Sequence, residues 1–169
     1  MTKGHRYIMG IDEVGRGALA GPLVLAGIMA RRPFRYKKSA LGLLKDSKKL
    51  APKRREAWFR YLTKYPEIRM APTWVYPRVI DRINITQAGN LAALRLAKKL
   101  IPKNRRSFIY LDGGLQLPKS FPHRTVIKGD EKIKIVAASS IIAKVSRDRA
   151  MIRLHKKDPR YHFDIHKGY

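Results

Sequence analysis

A mixed α/β fold is predicted by three features of the sequence. Two short apolar segments near the N-terminus, residues 5–12 and 22–30, are typical of hairpin-like strands. Strands and helices then alternate along the rest of the chain, which is typical of a mixed sheet covered by helices. The chain has 169 residues and is 44% hydrophobic, which is enough for a packed core. We therefore expect one domain over residues 1–169.

The first helix is predicted to begin at Pro52, because proline is favoured at the first position of a helix. It extends to about residue 65, and its apolar face is formed by Ala57, Trp58, Tyr61 and Leu62. Residues 68–76 are predicted as an edge strand, because Pro72 lacks the N–H group that a central strand donates.

The second half of the chain contains the remaining predicted elements. A short helix near residues 77–83 precedes a longer one over 86–100, whose alanines and leucines form an apolar stripe. Strands follow at 107–112 and 124–128, and a last helix runs from about 134 to 156. Each late strand is therefore followed by a turn or a helix, as in strand–helix units of a mixed sheet.

Charge indicates the class of partner. The chain has 38 Lys+Arg against 12 Asp+Glu, a formal net charge of +26 and a pI of about 10.9. Such a surface attracts phosphate backbones by Coulomb steering and counterion release. Charge alone favours a non-catalytic binder, such as a ribosomal or architectural protein, over an enzyme.

Several classes of protein are disfavoured by what the sequence lacks. It has no cysteine, so it has neither a disulfide framework nor a thiolate metal site. The sequence shows no secretory signal pattern, and it lacks the apolar run of about 20 residues that a membrane span requires. We therefore expect a cytoplasmic protein without a membrane partner.

Four acidic residues share a recurring pattern. Asp12 and Glu13 end one apolar segment, Asp112 ends another before two glycines, and Asp130 lies just past a third. Clustered carboxylates repel one another, and oxygen-rich sites suit hard cations. The pattern predicts a site for Mg²⁺ or Mn²⁺, and two such ions can support phosphodiester hydrolysis.

The acids also have ordinary structural interpretations. A single Asp at the end of a strand is usually a turn former or a helix cap, but three repetitions favour a shared site. Asp12 and Glu13 present a geometric difficulty, because consecutive strand residues point to opposite faces. They can share one site only if the strand ends or twists there, which Gly15 and Gly17 make plausible.

Ordered motifs along nearly the whole chain resemble those of the ribonuclease HII family. They are GIDEVGRGALAGPLV at 10–24, DSKKL at 46–50, INI at 83–85, LDG at 111–113, KGD at 128–130, AASSIIAKVSRD at 137–148 and HKGY at 166–169. The resemblance implies a ribonuclease H-like fold, in which a five-stranded mixed sheet is flanked by helices. It also implies an endonuclease that cuts on the 5′ side of ribonucleotides in RNA–DNA hybrids and in ribonucleotide-containing duplex DNA. The expected enzyme uses two metal ions, leaves 3′-hydroxyl and 5′-phosphate ends, and acts as a monomer in primer removal and in repair of misincorporated ribonucleotides.

The resemblance also assigns roles to individual residues. The family's catalytic and metal-binding carboxylates correspond to Asp12, Glu13, Asp112 and Asp130. The glycine-arginine-glycine motif corresponds to Gly15, Arg16 and Gly17, whose backbone is expected to meet the 2′-hydroxyl that distinguishes RNA from DNA. The family's tyrosine corresponds to Tyr169, which is expected to stack on the deoxyribose next to the ribonucleotide. Arginine at position 16 favours the type II enzymes over the sister type III enzymes.

Three further residues are candidates for substrate contact. Lys48 and Lys49 could hold phosphates of the scissile strand, although paired lysines also occur on solvated faces. Ser139 could contact a phosphate near a helix start, and its alternative is small-residue packing against the sheet. Family members usually continue past the tyrosine with another helical segment, whereas this sequence stops at Tyr169, so we expect that residue to fray.

Two rival functions remain at this point. A non-catalytic nucleic-acid-binding protein would explain the charge but not the clustered acids. Another nuclease of the same fold, such as a junction resolvase or a transposase, would explain the acids. It would leave the glycine-arginine-glycine motif and the terminal tyrosine unexplained.

Overall fold

The computed structural model describes residues 4–36, 41–102 and 106–169, and its described residues form a five-stranded mixed sheet. The strands are β1 (Tyr7–Val14), β2 (Leu23–Arg31), β3 (Ile68–Val75), β4 (Ser107–Asp112) and β5 (His123–Val126). Their order in the sheet is β3-β2-β1-β4-β5. The first three strands pair antiparallel, and β4 and β5 extend the sheet in parallel to β1. The carboxyl ends of β1, β4 and β5 therefore meet at one edge of the sheet. This edge runs across the strand ends, and it is called here the site edge.

Helices cover both faces of this sheet. They are α1 (Pro52–Lys64), α2 (Pro77–Leu100), α3 (Gly129–Lys132), α4 (Lys134–Lys157) and α5 (Phe163–His166), with 3-10 turns at Ser47–Lys49 and Pro159–Tyr161. None of the helices in the described ranges is both long and apolar enough to cross a bilayer.

The predicted elements are confirmed with small shifts at their ends. β3 is an edge strand, and its Pro72 lies opposite Ala26 of the single neighbouring strand. The two helices predicted at 77–83 and 86–100 are the two arms of α2, which bends at Asn84, where φ is +62°. β5 ends earlier than predicted because Lys128 adopts a left-handed conformation and starts α3. That four-residue helix was not predicted, because it is too short to show a helical period.

The alternation of side chains along β1 divides the core into two layers. Ile8 and Val14 pack with α1 and α4 on one face, while Met9 and Ile11 pack with α2 on the other. Side chains of successive strand residues point to opposite faces. Because β1 stays regular as far as Val14, Asp12 lies on the α4 face and Glu13 on the α2 face.

Gly10 is the point where α4 crosses β1 most closely. A β-carbon at Gly10 would lie 2.5 Å from the Ile135 carbonyl oxygen and 2.8 Å from the Val136 nitrogen, both of which are backbone atoms. The Ser139 hydroxyl also donates to the Gly10 carbonyl at 2.8 Å. The helix is thus held against the strand two residues before Asp12.

We expect Gly10→Ala to lower the free energy of unfolding by about 3 kcal/mol, because a backbone-to-backbone clash cannot relax by rotamer change. Urea denaturation followed by circular dichroism measures this loss. Gly114→Ala is the matched control, because a β-carbon there would meet only the end of the Arg16 side chain, at 4.0 Å. Equal unfolding midpoints for the two variants would contradict the close approach.

Candidate metal centre and nucleic-acid interface

Three carboxylates converge at the site edge. Asp12 lies near the end of β1 and Asp112 at the end of β4, the parallel neighbour of β1. Asp130 lies in the first turn of α3, just after β5. One oxygen from each of the three lies within 4.8 Å of the other two. The sequence prediction that separate strands deliver acids to one edge is therefore realised for these three residues.

Burial and mutual repulsion make this cluster unfavourable without a cation. Asp12 is only 3% exposed, and its pKa is raised well above the usual range, first by burial and then by the charge of Asp112. Burial, followed by the charges of Asp112 and Asp46, raises the pKa of Asp130 to about 6. A hard divalent cation would offset both effects, because it favours ionised oxygen ligands. The donor set thus fits Mg²⁺ or Mn²⁺.

Hydrogen bonds orient two of the three carboxylates. The Glu13 backbone N–H donates to Oδ1 of Asp12 at 2.7 Å, and the Ser140 hydroxyl bonds to the same carboxylate. The Gly129 backbone N–H donates to Oδ1 of Asp112 at 2.6 Å. Each bond occupies some of a carboxylate's acceptor capacity and leaves the rest for a cation.

Glu13 is not part of this cluster in the structure. Its carboxylate lies on the α2 face and accepts a hydrogen bond from Nη1 of Arg16 at 2.7 Å, while its Oε2 is buried with no hydrogen-bond partner among the described residues. Gly89 of α2 leaves room for it, since a β-carbon there would lie 3.1 Å from Oε2. The physical reason is that β1 neither ends nor twists between Asp12 and Glu13. The role of Glu13 as a metal ligand stays a prediction.

Thr86 is a site residue that the sequence analysis missed. Its hydroxyl accepts a hydrogen bond from Nη2 of Arg16 at 3.0 Å, so the guanidinium joins Glu13 to α2. The bend at Asn84 starts the second arm of α2 beside this arginine, and Oδ1 of Asn84 accepts from the Gln87 N–H at 3.0 Å. The INI motif at 83–85 marks this bend but not the threonine that follows it.

Thr86→Val is expected to lower kcat/KM about 3- to 10-fold, because one hydrogen bond to a charged group is removed while the side-chain shape is kept. Thr86→Ser should restore most of the activity. Steady-state kinetics of the three proteins measure the effect. Equal activity of the valine and wild-type proteins would show that the contact has no role in positioning Arg16.

The loop after β1 presents backbone donors to solvent. Gly15 has a φ of +104°, a conformation that favours glycine, and Arg16 and Gly17 are exposed. Within the described parts of the chain, the backbone N–H groups of Arg16 and Gly17 donate no hydrogen bond. They are therefore available to a ligand oxygen next to the carboxylate cluster.

The two candidate lysines differ in their surroundings. Lys48 is exposed, and its charge acts on Asp130. Lys49 forms an ion pair with Glu131 at 2.8 Å. The buried Asp46 caps this turn by accepting from the Lys48 N–H at 3.0 Å, and it also bonds to Asp130. The turn thus holds Lys48 at the border of the cluster.

Ser139 does not lie on the surface of the site. It is fully buried, and its hydroxyl donates to the carbonyls of Gly10 and Ile135. A phosphate cannot reach it, so the prediction of substrate contact is corrected to the packing alternative. The neighbouring Ser140 is the serine of this pair that contacts the cluster, because it bonds to the Asp12 carboxylate and its hydroxyl lies 2.7 Å from that of Ser47.

Tyr169 lies beside the loop after β1 and is 55% exposed. Two basic side chains contact its ring. The guanidinium carbon of Arg147 lies 5.1 Å and Nζ of Lys144 lies 5.7 Å from the ring centroid. Its backbone N–H donates to the His166 carbonyl at 3.1 Å. The ring therefore has a defined place and an exposed face.

Asp46 and Arg147 complete the set that sequence analysis missed. Asp46 belongs to the DSKKL motif. A lone Asp before a short turn is typical of a cap, and Asp46 does cap the turn that follows it. Arg147 belongs to the AASSIIAKVSRD motif, in a predicted helix that carries several other basic residues. Neither residue had a local signal for its contact in the folded chain.

Comparison with known sequences gives a consistent family. A sequence model described as Ribonuclease HII matches residues 9–169. A Ribonuclease HII of Caldicellulosiruptor bescii is 40% identical over 170 residues, which cover 100% of this chain and 78% of the relative. A Ribonuclease HII of Bacillus mycoides is 41% identical over 167 residues, which cover 99% of this chain and 62% of the relative. The chain thus spans about three fifths of the length of the Bacillus protein.

Solved structures show the same fold. The PCNA:RNase HII complex from Archaeoglobus fulgidus contains a chain with a TM-score of 0.71 and 31% identity, covering 89% of this chain and 77% of that one. Bst-RNase HIII in complex with Mn²⁺ has a TM-score of 0.71 and 25% identity, covering 91% of this chain and 56% of that one. These likenesses confirm the ribonuclease H-like fold predicted from the sequence.

Proposed function

The chain belongs to the ribonuclease HII family of hydrolases, and we propose that it is an endonuclease acting on the 5′ side of ribonucleotides. Its substrates would be RNA–DNA hybrids and duplex DNA with single embedded ribonucleotides. The observation that carries this proposal is the convergence of Asp12, Asp112 and Asp130 at an edge of an otherwise strongly basic chain. A protein that only binds nucleic acid gains nothing from buried acids facing phosphates.

The three aspartates would hold the metal. Glu13 would join them as a fourth ligand if it left Arg16 and the end of β1 rearranged so that its carboxylate turned away from the α2 face. Two Mg²⁺ or Mn²⁺ ions bound in such a site would activate water and stabilise charge on the phosphodiester oxygens. In the hydrolysis a water oxygen bonds to phosphorus. The bond to the 3′ oxygen of the preceding nucleotide breaks, so that a 3′-hydroxyl and a 5′-phosphate are left.

The surrounding residues would bind and orient the substrate. Lys48 is exposed next to Asp130 and would contact a phosphate of the scissile strand, whereas Lys49 would first have to leave Glu131. The free N–H groups of Arg16 and Gly17 would donate to the 2′-hydroxyl of the ribonucleotide. Tyr169 would stack on the neighbouring deoxyribose. We further propose that residues 1–169 form a single catalytic domain that acts as a monomer.

The test is cleavage of a labelled duplex that carries one ribonucleotide, with Mg²⁺ or Mn²⁺. We expect a metal-dependent nick on the 5′ side of the ribonucleotide, with no cleavage of an all-DNA duplex of the same sequence. An RNA–DNA hybrid is the second substrate. Binding of all three duplexes without cleavage in either metal would overturn the proposal in favour of a non-catalytic binder.

A further inference from the structure

Arg147 of α4 is a fully buried arginine without an acidic partner. No carboxylate lies within 4.0 Å of its guanidinium among the residues that the structure describes, and its exposure is 0%. A buried charge is costly unless hydrogen bonds compensate for lost hydration. Asp148, the next residue, pairs instead with Arg55 and Lys144. The energetic cost of burying this charge must be offset by other contacts of the guanidinium.

The guanidinium donates to three backbone carbonyls from two separate segments. Nε donates to Pro22 at 3.0 Å and Nη2 to Ala20 at 2.9 Å, both in the loop between β1 and β2. Nη1 donates to Lys167 at 2.8 Å, in the C-terminal segment. The planar fork of arginine donors suits simultaneous contacts of this kind, which a lysine ammonium cannot reproduce.

The two segments also touch each other directly around this arginine. The Gly168 carbonyl accepts from the N–H groups of Leu19 and Ala20, at 2.8 and 3.3 Å. A β-carbon at Gly168 would lie 2.5 Å from the Ala20 carbonyl oxygen. A β-carbon at Gly15 would lie 2.5 Å from Nε of Arg147. Glycine at both positions permits this close approach.

We propose that Arg147 is a positioning residue, which sets the distance between the glycine-arginine-glycine loop and Tyr169. This inference rests on the proposed function, in which the loop recognises the ribonucleotide and Tyr169 the deoxyribose beside it. The guanidinium contacts the Tyr169 ring at 5.1 Å as well as the loop carbonyls, so one side chain holds both recognition elements. Arg147 therefore governs the preference for an RNA–DNA junction over continuous RNA.

The first experiment compares kcat/KM for a duplex with one ribonucleotide and for an all-RNA strand on DNA. Arg147→Lys is expected to lower the ratio of the single-ribonucleotide value to the all-RNA value about tenfold. The reason is that displacement of the loop or of Tyr169 affects mainly recognition of the junction. Tyr169→Ala should lower the same ratio, and the double variant should show no further loss. Arg149→Lys is the matched control, because Arg149 lies on the same helix and stacks on Phe59 away from the loop.

The second experiment does not depend on catalysis. Hydrogen exchange should become at least about tenfold faster in both residues 15–22 and residues 163–169 of Arg147→Lys, because the segments protect each other. Gly168→Ala should have the same effect with Arg147 intact. It serves as the second variant if Arg147→Lys unfolds below the assay temperature.

The outcomes separate this inference from the proposed function. A junction ratio that stays constant while both substrates lose activity equally would overturn the positioning role. Faster exchange in only one of the two segments would overturn it as well. If the wild-type chain cleaves neither substrate, the proposed function fails. The exchange measurement then still decides whether Arg147 joins the two segments.

Discussion

Asp12→Asn is expected to abolish metal-dependent cleavage and, at the same time, to raise the thermal stability of the metal-free protein. The loss of activity should be about 10³-fold or more, because several kcal/mol of transition-state stabilisation depend on the bound cations. The gain in stability follows from burial. The carboxylate of Asp12 is nearly inaccessible and faces Asp112, so its ionised form is disfavoured in the folded state.

The sign of the pH dependence follows from the same shift. The folded pKa of Asp12 is raised above its unfolded value, so ionisation at neutral pH favours the unfolded chain. The asparagine variant should therefore be more stable by about 1–2 kcal/mol at pH 7 in EDTA. This advantage should shrink as the pH falls through the raised pKa of Asp12, and it should vanish below about pH 3.8, where both states are protonated.

Differential scanning calorimetry with EDTA and with Mg²⁺ measures both effects. Mg²⁺ should raise the melting temperature of the wild-type protein, since a ligand that binds only the folded state stabilises it, and it should raise that of the variant less. Glu67→Gln is the matched control, because Glu67 is exposed just before β3, at the sheet edge opposite the site. A variant that melts below the wild type in EDTA would contradict the repulsive cluster.

The fold was predictable wherever a local pattern was strong. The five strands were located from apolar runs, and Pro72 identified the edge strand before any pairing was known. The bend at Asn84 coincides with the gap between the two predicted arms of α2. The order of strands in the sheet, by contrast, depends on pairings between distant segments, and apolar periodicity carries no information about those pairings.

The site was predictable to the extent that it follows strand ends. Asp112 and Asp130 each follow an apolar strand, and parallel pairing brings them to Asp12. Glu13 was grouped with Asp12 because they are adjacent in sequence, yet the two-residue period of β1 separates them. Arg147 was missed because its partners Ala20 and Pro22 lie 127 and 125 residues away along the chain. No local pattern distinguishes such an arginine from one in solvent.

The second large expected effect is a steep loss of nucleic-acid affinity with salt. With a net charge of +26, contact with six to ten phosphates is expected, and affinity for duplex should fall about 10³- to 10⁵-fold between 50 and 200 mM salt. Fluorescence anisotropy with Asp12→Asn, which binds without cutting, measures this slope. The variant also removes one acid from the phosphate-facing cluster, so every comparison is made in this background.

Two lysine variants separate local contact from general charge. Lys48→Ala should reduce the logarithmic salt slope by about one, since one phosphate contact is removed. Lys99→Ala removes the same charge from an exposed position in the last turn of α2, near the sheet edge opposite the site, and should leave the slope unchanged. Equal slopes for the two variants would show that Lys48 acts only through net charge. A slope for the parent no steeper than that of a near-neutral relative would contradict the role assigned to the basic surface.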